Sequence, residues 1–183
     1  MTEKLDGSNT LIHRRRVYGR SVTGTTRGKW MAMVKKHLAW KVQEPDVLLY
    51  GEDIYAVHSI EYGPVREDRT FYAFALRHGD TFAPFCDIEA YCADHDIAVV
   101  PLLFRGTFQS VSALRDFVTA AHEQASALGG VREGIVIRRA EGFGAEQFGQ
   151  SVCKSVRAEH LRTSEDWRRS WRACRTKPAR SSP

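Results

Sequence analysis

No stretch of the sequence approaches the roughly 20 consecutive apolar residues that a membrane span needs. Its first residues, Met-Thr-Glu-Lys-Leu-Asp, lack the basic-then-apolar order of a secretory signal. Cysteine is sparse: Cys86, Cys92, Cys153 and Cys174 form no CxxC pair and no zinc-like spacing with histidine. Cys86, Cys92 and His95 lie close in sequence but read as reduced thiols and a histidine on or near one short helix. These absences lead to the expectation of a cytoplasmic protein that does not associate with membranes. Internal repeats are missing too. So is acid from Gly7 to Gln43, a stretch with nine Lys/Arg and no Asp/Glu. Residues 161–183 hold seven Lys/Arg against two Asp/Glu, the whole of the net charge of +5, which leaves the first 160 residues balanced. Both basic stretches suit phosphate contacts, although charge runs also occur as plain solvated faces.

At 183 residues the chain is expected to form one well-packed domain. Residues 9–21 read as two short strands around Arg14-Arg15-Arg16. Trp30, Met33, Val34, His37, Leu38 and Lys41 recur at helical spacing, predicting a helix over 28–42. Residues 47–55 and 71–77 read as strands, Asp87 as the cap of a short helix through His95, and 98–104 as a strand. The clearest helix is 111–128, capped by Ser110 or Ser112, with Leu114, Phe117, Val118, Ala121, Ala125 and Leu128 on one face and Gly129-Gly130 as its stop. Residues 134–139 and 152–156 are strand-like. Strands and helices mix without the regular alternation of a parallel sheet, so an α+β body on antiparallel sheets is expected.

The chemistry begins at Thr2-Glu3-Lys4-Leu5-Asp6-Gly7-Ser8-Asn9, a lysine at a strand end before a glycine-containing turn. Lysine is a nucleophile only when neutral, so a site that uses it must favour the uncharged amine by burial or neighbouring positive charge. Such tetrapeptides also occur in ordinary turns. Five further segments follow in order: Tyr18-Gly19-Arg20-Ser21, Leu49-Tyr50-Gly51-Glu52-Asp53, Phe71-Tyr72-Ala73-Phe74-Ala75-Leu76, Glu133-Gly134-Ile135-Val136-Ile137-Arg138 and Cys153-Lys154-Ser155-Val156-Arg157. Taken singly, Glu52 reads as a strand-end carboxylate, Phe74 as core, and Lys154 and Arg157 as surface cations.

In that order and spacing, over residues 2–161, the six segments resemble the motifs of the covalent nucleotidyltransferase superfamily. They are most similar to the RNA ligase 2-like ATP-dependent RNA ligases. The resemblance implies a nucleotidyltransferase (ATP-grasp-like) core of antiparallel sheets flanked by helices. It implies that Lys4 attacks the α-phosphate of ATP and becomes lysyl-AMP. Asp6, Gly7 and Asn9 would complete that motif, shaping the turn and contacting nucleotide or substrate. Arg20 would contact the nucleotide or the 5′-phosphate strand, Glu52 the ribose hydroxyls, and Phe74 the adenine, with Tyr72 as the other aromatic. Glu133 would lie near a catalytic Mg2+ or Mn2+, Lys154 beside the α-phosphate, and Arg157 would be a second cation there. The reaction adenylates a 5′-phosphate end and joins it to a 3′-hydroxyl, and the partner is RNA ends or a nicked duplex.

The chain departs from the family pattern in two places: Ala75 stands where many relatives have aspartate, and only three residues precede Lys4. The adenylyltransferase domain is therefore expected over 1–161 without its N-terminal segment. Residues 162–183 would be a basic tail whose Trp167, Trp171 and arginines form either a helix facing RNA or a solvated extension. A catalytically inactive nucleic-acid-binding module of this fold and a minimal DNA ligase are the alternatives.

Overall fold

The computed structural model describes residues 1–20, 28–157 and 171–179. In chain order the strands are β1 (Thr2–Lys4), β2 (Ser8–His13), β3 (Arg16–Gly19), β4 (Val47–Asp53), β5 (Ala56–Val57), β6 (Val65–Arg66), β7 (Phe71–His78), β8 (Thr81–Phe82), β9 (Ala98–Val99), β10 (Gly134–Arg138), β11 (Phe143–Gly144), β12 (Val152–Val156), β13 (Arg172–Ala173) and β14 (Thr176–Lys177). The α-helices are α1 (Ala32–His37), α2 (Phe85–Asp94), α3 (Val111–Glu123) and α4 (Phe148–Ser151).

Two sheets frame the body. The larger runs β11-β8-β7-β4-β2-β3, with β9 added parallel to β7, and the smaller runs β1-β10-β12. All other pairs in these two sheets are antiparallel, as the strand pattern led one to expect. In the large sheet the period of two sorts the faces. Ser8, Thr10 and Ile12 on β2 pair with Asp53, Gly51 and Leu49 on β4, and all six are buried. Their alternates Asn9, Tyr50 and Glu52 retain some exposure. The core lies on the first face, where Val34, Leu38, Val42, Phe71, Leu76 and Ile88 are nearly inaccessible.

Several expected elements change shape. Residues 28–42 form a short α1 with a single 3₁₀ turn at each end, not one helix. The buried set is Met31, Val34, Leu38, Ala39 and Val42, so tightening the ends keeps the apolar residues on the core where a uniform helix would rotate them away. The expected strand at 98–104 stops at Val99. Pro101 has no N–H to give a ladder, and its carbonyl instead accepts from Glu3 N at 2.8 Å, guiding the chain past β1. Asp87 lies in the first turn of α2 rather than capping it, since the helix starts at Phe85 after Pro84. The Ser110 cap is present, with its Oγ accepting from Ala113 N at 3.1 Å, but α3 ends at Glu123. The chain then turns back through Gly129 and Gly130, at φ of 86° and 78°.

Ser21 and residues 158–170 fall outside the described residues, and with them Trp167. Residues 171–179 are extended rather than helical: β13 pairs with β5 and β14 with β6. Cys174 is buried in the main core. The β2–β3 hairpin turns on Arg14 and Arg15, both with positive φ, a conformation that costs an L residue about 1–2 kcal/mol.

Candidate active site

The small sheet brings three sequence-predicted groups to one end. Lys4 closes β1 opposite Gly134, the first residue of β10, which in turn faces Val156 at the close of β12. Lys4 Nζ donates to Glu133 Oε1 at 2.5 Å; the glutamate side chain is only 6% exposed and that of lysine 24%. One position further on, Arg157 N donates to Glu133 O at 3.0 Å. Gly134 has to be glycine here, because a Cβ would lie 2.2 Å from Ser155 O. Lys154, exposed on β12, pairs with Val136, two residues along from Val156, so alternation puts it on the face that carries Lys4. On the opposite face Glu3 is buried beside Arg132, whose guanidinium also donates to Ala121 O and Ala125 O, fixing the sheet to the end of α3.

Asp6 organises the turn between β1 and β2. One carboxylate oxygen accepts from Ser59 N, Ser59 Oγ and Ile60 N, each at 2.8 Å, and Asp6 N donates to Tyr62 OH at 2.7 Å. Burial and the nearby carboxylates push the Tyr62 phenol up, which keeps it a donor-acceptor hinge rather than a charge. Ser8 Oγ meets His58 Nε2 at 3.2 Å, so the 58–62 segment is clamped at both ends. Next to Asp6, a Cβ on Gly7 would lie 2.5 Å from Asp53 O; only glycine lets this turn press against β4.

The large sheet supplies a row of side chains across its open face. Tyr72 pairs with Glu52 and Glu52 with Asn9. Thr10 pairs with Gly19, so exposed Arg20 stands level with Asn9 on the next strand. Burial pushes the Glu52 carboxyl up to about 8; Lys4 opposes that rise, and Glu133 and Asp6 add to it. These four groups therefore share one field, in which carboxylates outnumber the lysine. Glu52 keeps a partly exposed surface.

Phe74 sits at a bulge. Tyr50 pairs with Ala75 and Gly51 with Ala73, leaving Phe74 as the extra residue of β7, and a bulge of this kind sets two residues against one and re-aims a side chain. Phe74 and Ala75 thus both stand opposite Tyr50; Ala75 is buried, and Phe74, partly buried, packs against the main core. The carbonyl that the bulge frees is taken by Arg138, which donates to Phe74 O at 2.7 Å and to Ala83 O at 3.1 Å. Arg138 lies between the rings of Phe85 and Phe143, and burial lowers its affinity for its proton. It ties the end of β10 to β7 and so links the two sheets. No role was assigned to Arg138 from the sequence; the one signal available was a cation ending the apolar run Gly134–Ile137.

A family model of RNA ligase matches residues 1–156. The chain belongs to the RNA ligase family. Searches of curated proteins and of solved structures return no match. The RNA ligase match spans both sheets and the site residues described here except Arg157, one position beyond it. The family implies a nucleic-acid substrate and a ligase enzyme, and generally the use of ATP. Among the described residues no group of three or more His, Cys, Asp or Glu is placed to hold a metal ion, and no helix is long and apolar enough to cross a membrane. Glu133 and Glu52 still offer the hard oxygens that Mg2+ or Mn2+ favours, and such ions commonly take one or two carboxylates and fill the remaining positions with phosphate and water. The donor set fits an ion that arrives with its nucleotide.

Proposed function

We propose that this RNA ligase is an ATP-dependent enzyme of the cytoplasm that works through a covalent lysyl-AMP. The observation that carries the reading is Lys4 held by the nearly inaccessible Glu133, close enough to Glu52 and Asp6 for the four to share one field. In the first step the Lys4 amine, its proton given up to solvent, attacks the α-phosphorus of ATP. The bond to the β-phosphate oxygen breaks and pyrophosphate leaves. A 5′-phosphate oxygen then displaces Lys4 from the AMP, and finally a 3′-hydroxyl displaces AMP and closes the phosphodiester. Glu133 would be the carboxylate to hold Mg2+ or Mn2+, which would neutralise phosphate charge.

The chain's own residues bind and orient. Glu133 fixes Lys4 before the nucleotide arrives. Glu52, protonated or not, presents oxygens to the ribose hydroxyls, and Phe74 offers its face to adenine. Lys154 and Arg157 bring positive charge to a site otherwise rich in carboxylates, where phosphates need it. Asn9 and Arg20, level with Glu52, contact nucleotide or the 5′-phosphate strand. Asp6 and Gly7 act through the turn they build.

The deciding experiment incubates the protein with α-labelled ATP and Mg2+ or Mn2+, denatures it, and looks for label on the polypeptide, beside Lys4→Ala. Acid-labile label on the native chain and none on the variant is the expected result. No label on a sample shown to be folded overturns the reading. A second assay on nicked RNA and nicked DNA duplexes assigns the strand, since 2′-hydroxyls and A-form shape are what a protein uses to tell RNA from DNA.

A further inference from the structure

The β2–β3 hairpin closes through two residues, Arg14 and Arg15, between the paired His13 and Arg16. Their φ values of 47° and 62° mark a type I′ turn, whose favoured occupants are Asn and Gly. Two arginines are poor choices for such a turn, and backbone held in a disfavoured conformation is concentrated where ligands are gripped. Their hydrogen bonds fix the tip without neutralising it. Arg14 Nε donates to Pro45 O at 3.3 Å, Arg15 N to Val42 O at 2.8 Å, and Arg15 Nη2 to Gln43 Oε1. Among the described residues none of Arg14, Arg15 and Arg16 has a carboxylate partner. The two acids that flank Pro45 are engaged elsewhere, Glu44 by Tyr91 and His95, and Asp46 by His78.

The rest of β3 points the same way. Val17 is buried at 3%, so alternation sets Arg16, Tyr18 and Arg20 on the outer face of an edge strand, a cation, an aromatic and a cation two residues apart. Arg20 is level with Asn9 and Glu52 at the site. Four residues from Arg20 to Arg16 cover about 13 Å at roughly 3.3 Å each.

We propose that the outer face of this hairpin, from Arg20 past Tyr18 to the Arg14–Arg15–Arg16 tip, is the track for the polynucleotide strand beyond the end being joined. The arginines meet successive phosphates, and Tyr18 offers its ring to one base, the pairing of basic groove and aromatic platform that single-strand binders use. The track rests on the strand-joining function proposed above, and it is separable from that function by experiment.

The test uses Arg14→Asn/Arg15→Gly, which removes two cations while giving the turn its preferred residues, so a weakened fold does not explain a loss. Arg14→Lys/Arg15→Lys keeps the charge. Binding of a short 5′-phosphorylated RNA is measured across a salt series, with Lys4 adenylation followed in parallel. The expected result for the Asn-Gly variant is unchanged adenylation and RNA affinity about ten-fold weaker at moderate salt, with a salt slope shallower by about 0.7 for each phosphate that is no longer neutralised. The lysine variant restores most of the affinity. An unchanged slope in the Asn-Gly variant, loss of its adenylation, or failure of the lysine variant to restore binding overturns the track. Absence of adenylation in the native chain instead removes the function on which the track rests.

Discussion

The small sheet offers its chemistry from its end, and the large sheet from its face. Lys4, Glu133 and Arg157 lie where β1 stops, just before β10 starts and just after β12 stops. Glu52 and Asn9 lie within strands, paired with each other, and Glu52 is flanked on its other side by Tyr72. A group in mid-strand is fixed by the ladders around it and suits recognition, where geometry should persist. A group at a strand end is held by side-chain contacts, such as the 2.5 Å pair of Lys4 and Glu133, and can be released when a ligand competes for its partner. The division teaches that rate and affinity should separate by sheet.

The sharpest break is Lys4→Ala, expected to reduce labelling of the polypeptide by about 10³-fold or more, the scale on which nucleophile removal is felt. Lys4→Arg should fare no better, which would show that the amine and not its charge is needed. Next comes Phe74→Ala on the large sheet. Loss of a stacking face worth roughly 1–3 kcal/mol should raise the KM for ATP about ten- to a hundred-fold with little change in kcat. A matching fall in kcat would erase the distinction between the sheets.

Gly7→Ala tests the joint between them. Its Cβ would lie 2.5 Å from Asp53 O, so the turn must lift from β4, at about 1–3 kcal/mol of stability measured by denaturant unfolding. Glu52 and Asp53 predict a pH dependence. Burial raises their carboxyls to about 8 and about 7, so the folded chain keeps protons that the unfolded chain releases near pH 4 to 4.5. The stability these groups contribute is thus full below that range and is lost as pH rises towards 8. Glu52→Gln should flatten the decline measured between pH 5 and 8. The smallest change is Ser110→Ala, which removes the cap of α3, far from both sets of groups; unfolding should show a loss of about 1 kcal/mol, with kcat and KM unmoved.

Much of this arrangement was legible in the residues. The strands carrying Lys4, Glu52, Phe74 and Lys154, and the one that Glu133 precedes, follow from their apolar runs and glycines, and the antiparallel α+β body follows from their order. What stayed hidden depends on partners distant in sequence. Nothing local tells that Asp6 reaches Ser59 and Ile60, 53 and 54 residues away. The bulge at Phe74 is invisible in a run apolar on both faces, and Arg138, 64 residues on, reveals itself only once that carbonyl is free. The clean helix expected over 28–42 failed for a related reason, since the core chose which of its apolar residues to bury.

The strand pairing of β1 also sets an order of events during synthesis. Lys4 is separated from Glu133 by 129 positions, and the sheet that holds both is completed only by β12, ending at Val156. Closing so long a loop is slow and comes after local contacts have formed. A ribosome must therefore release most of the chain before its early lysine finds the carboxylate that positions it. A nascent or broken polypeptide lacking β10 and β12 would carry Lys4 without Glu133 beside it and so, on the function proposed above, could not consume nucleotide.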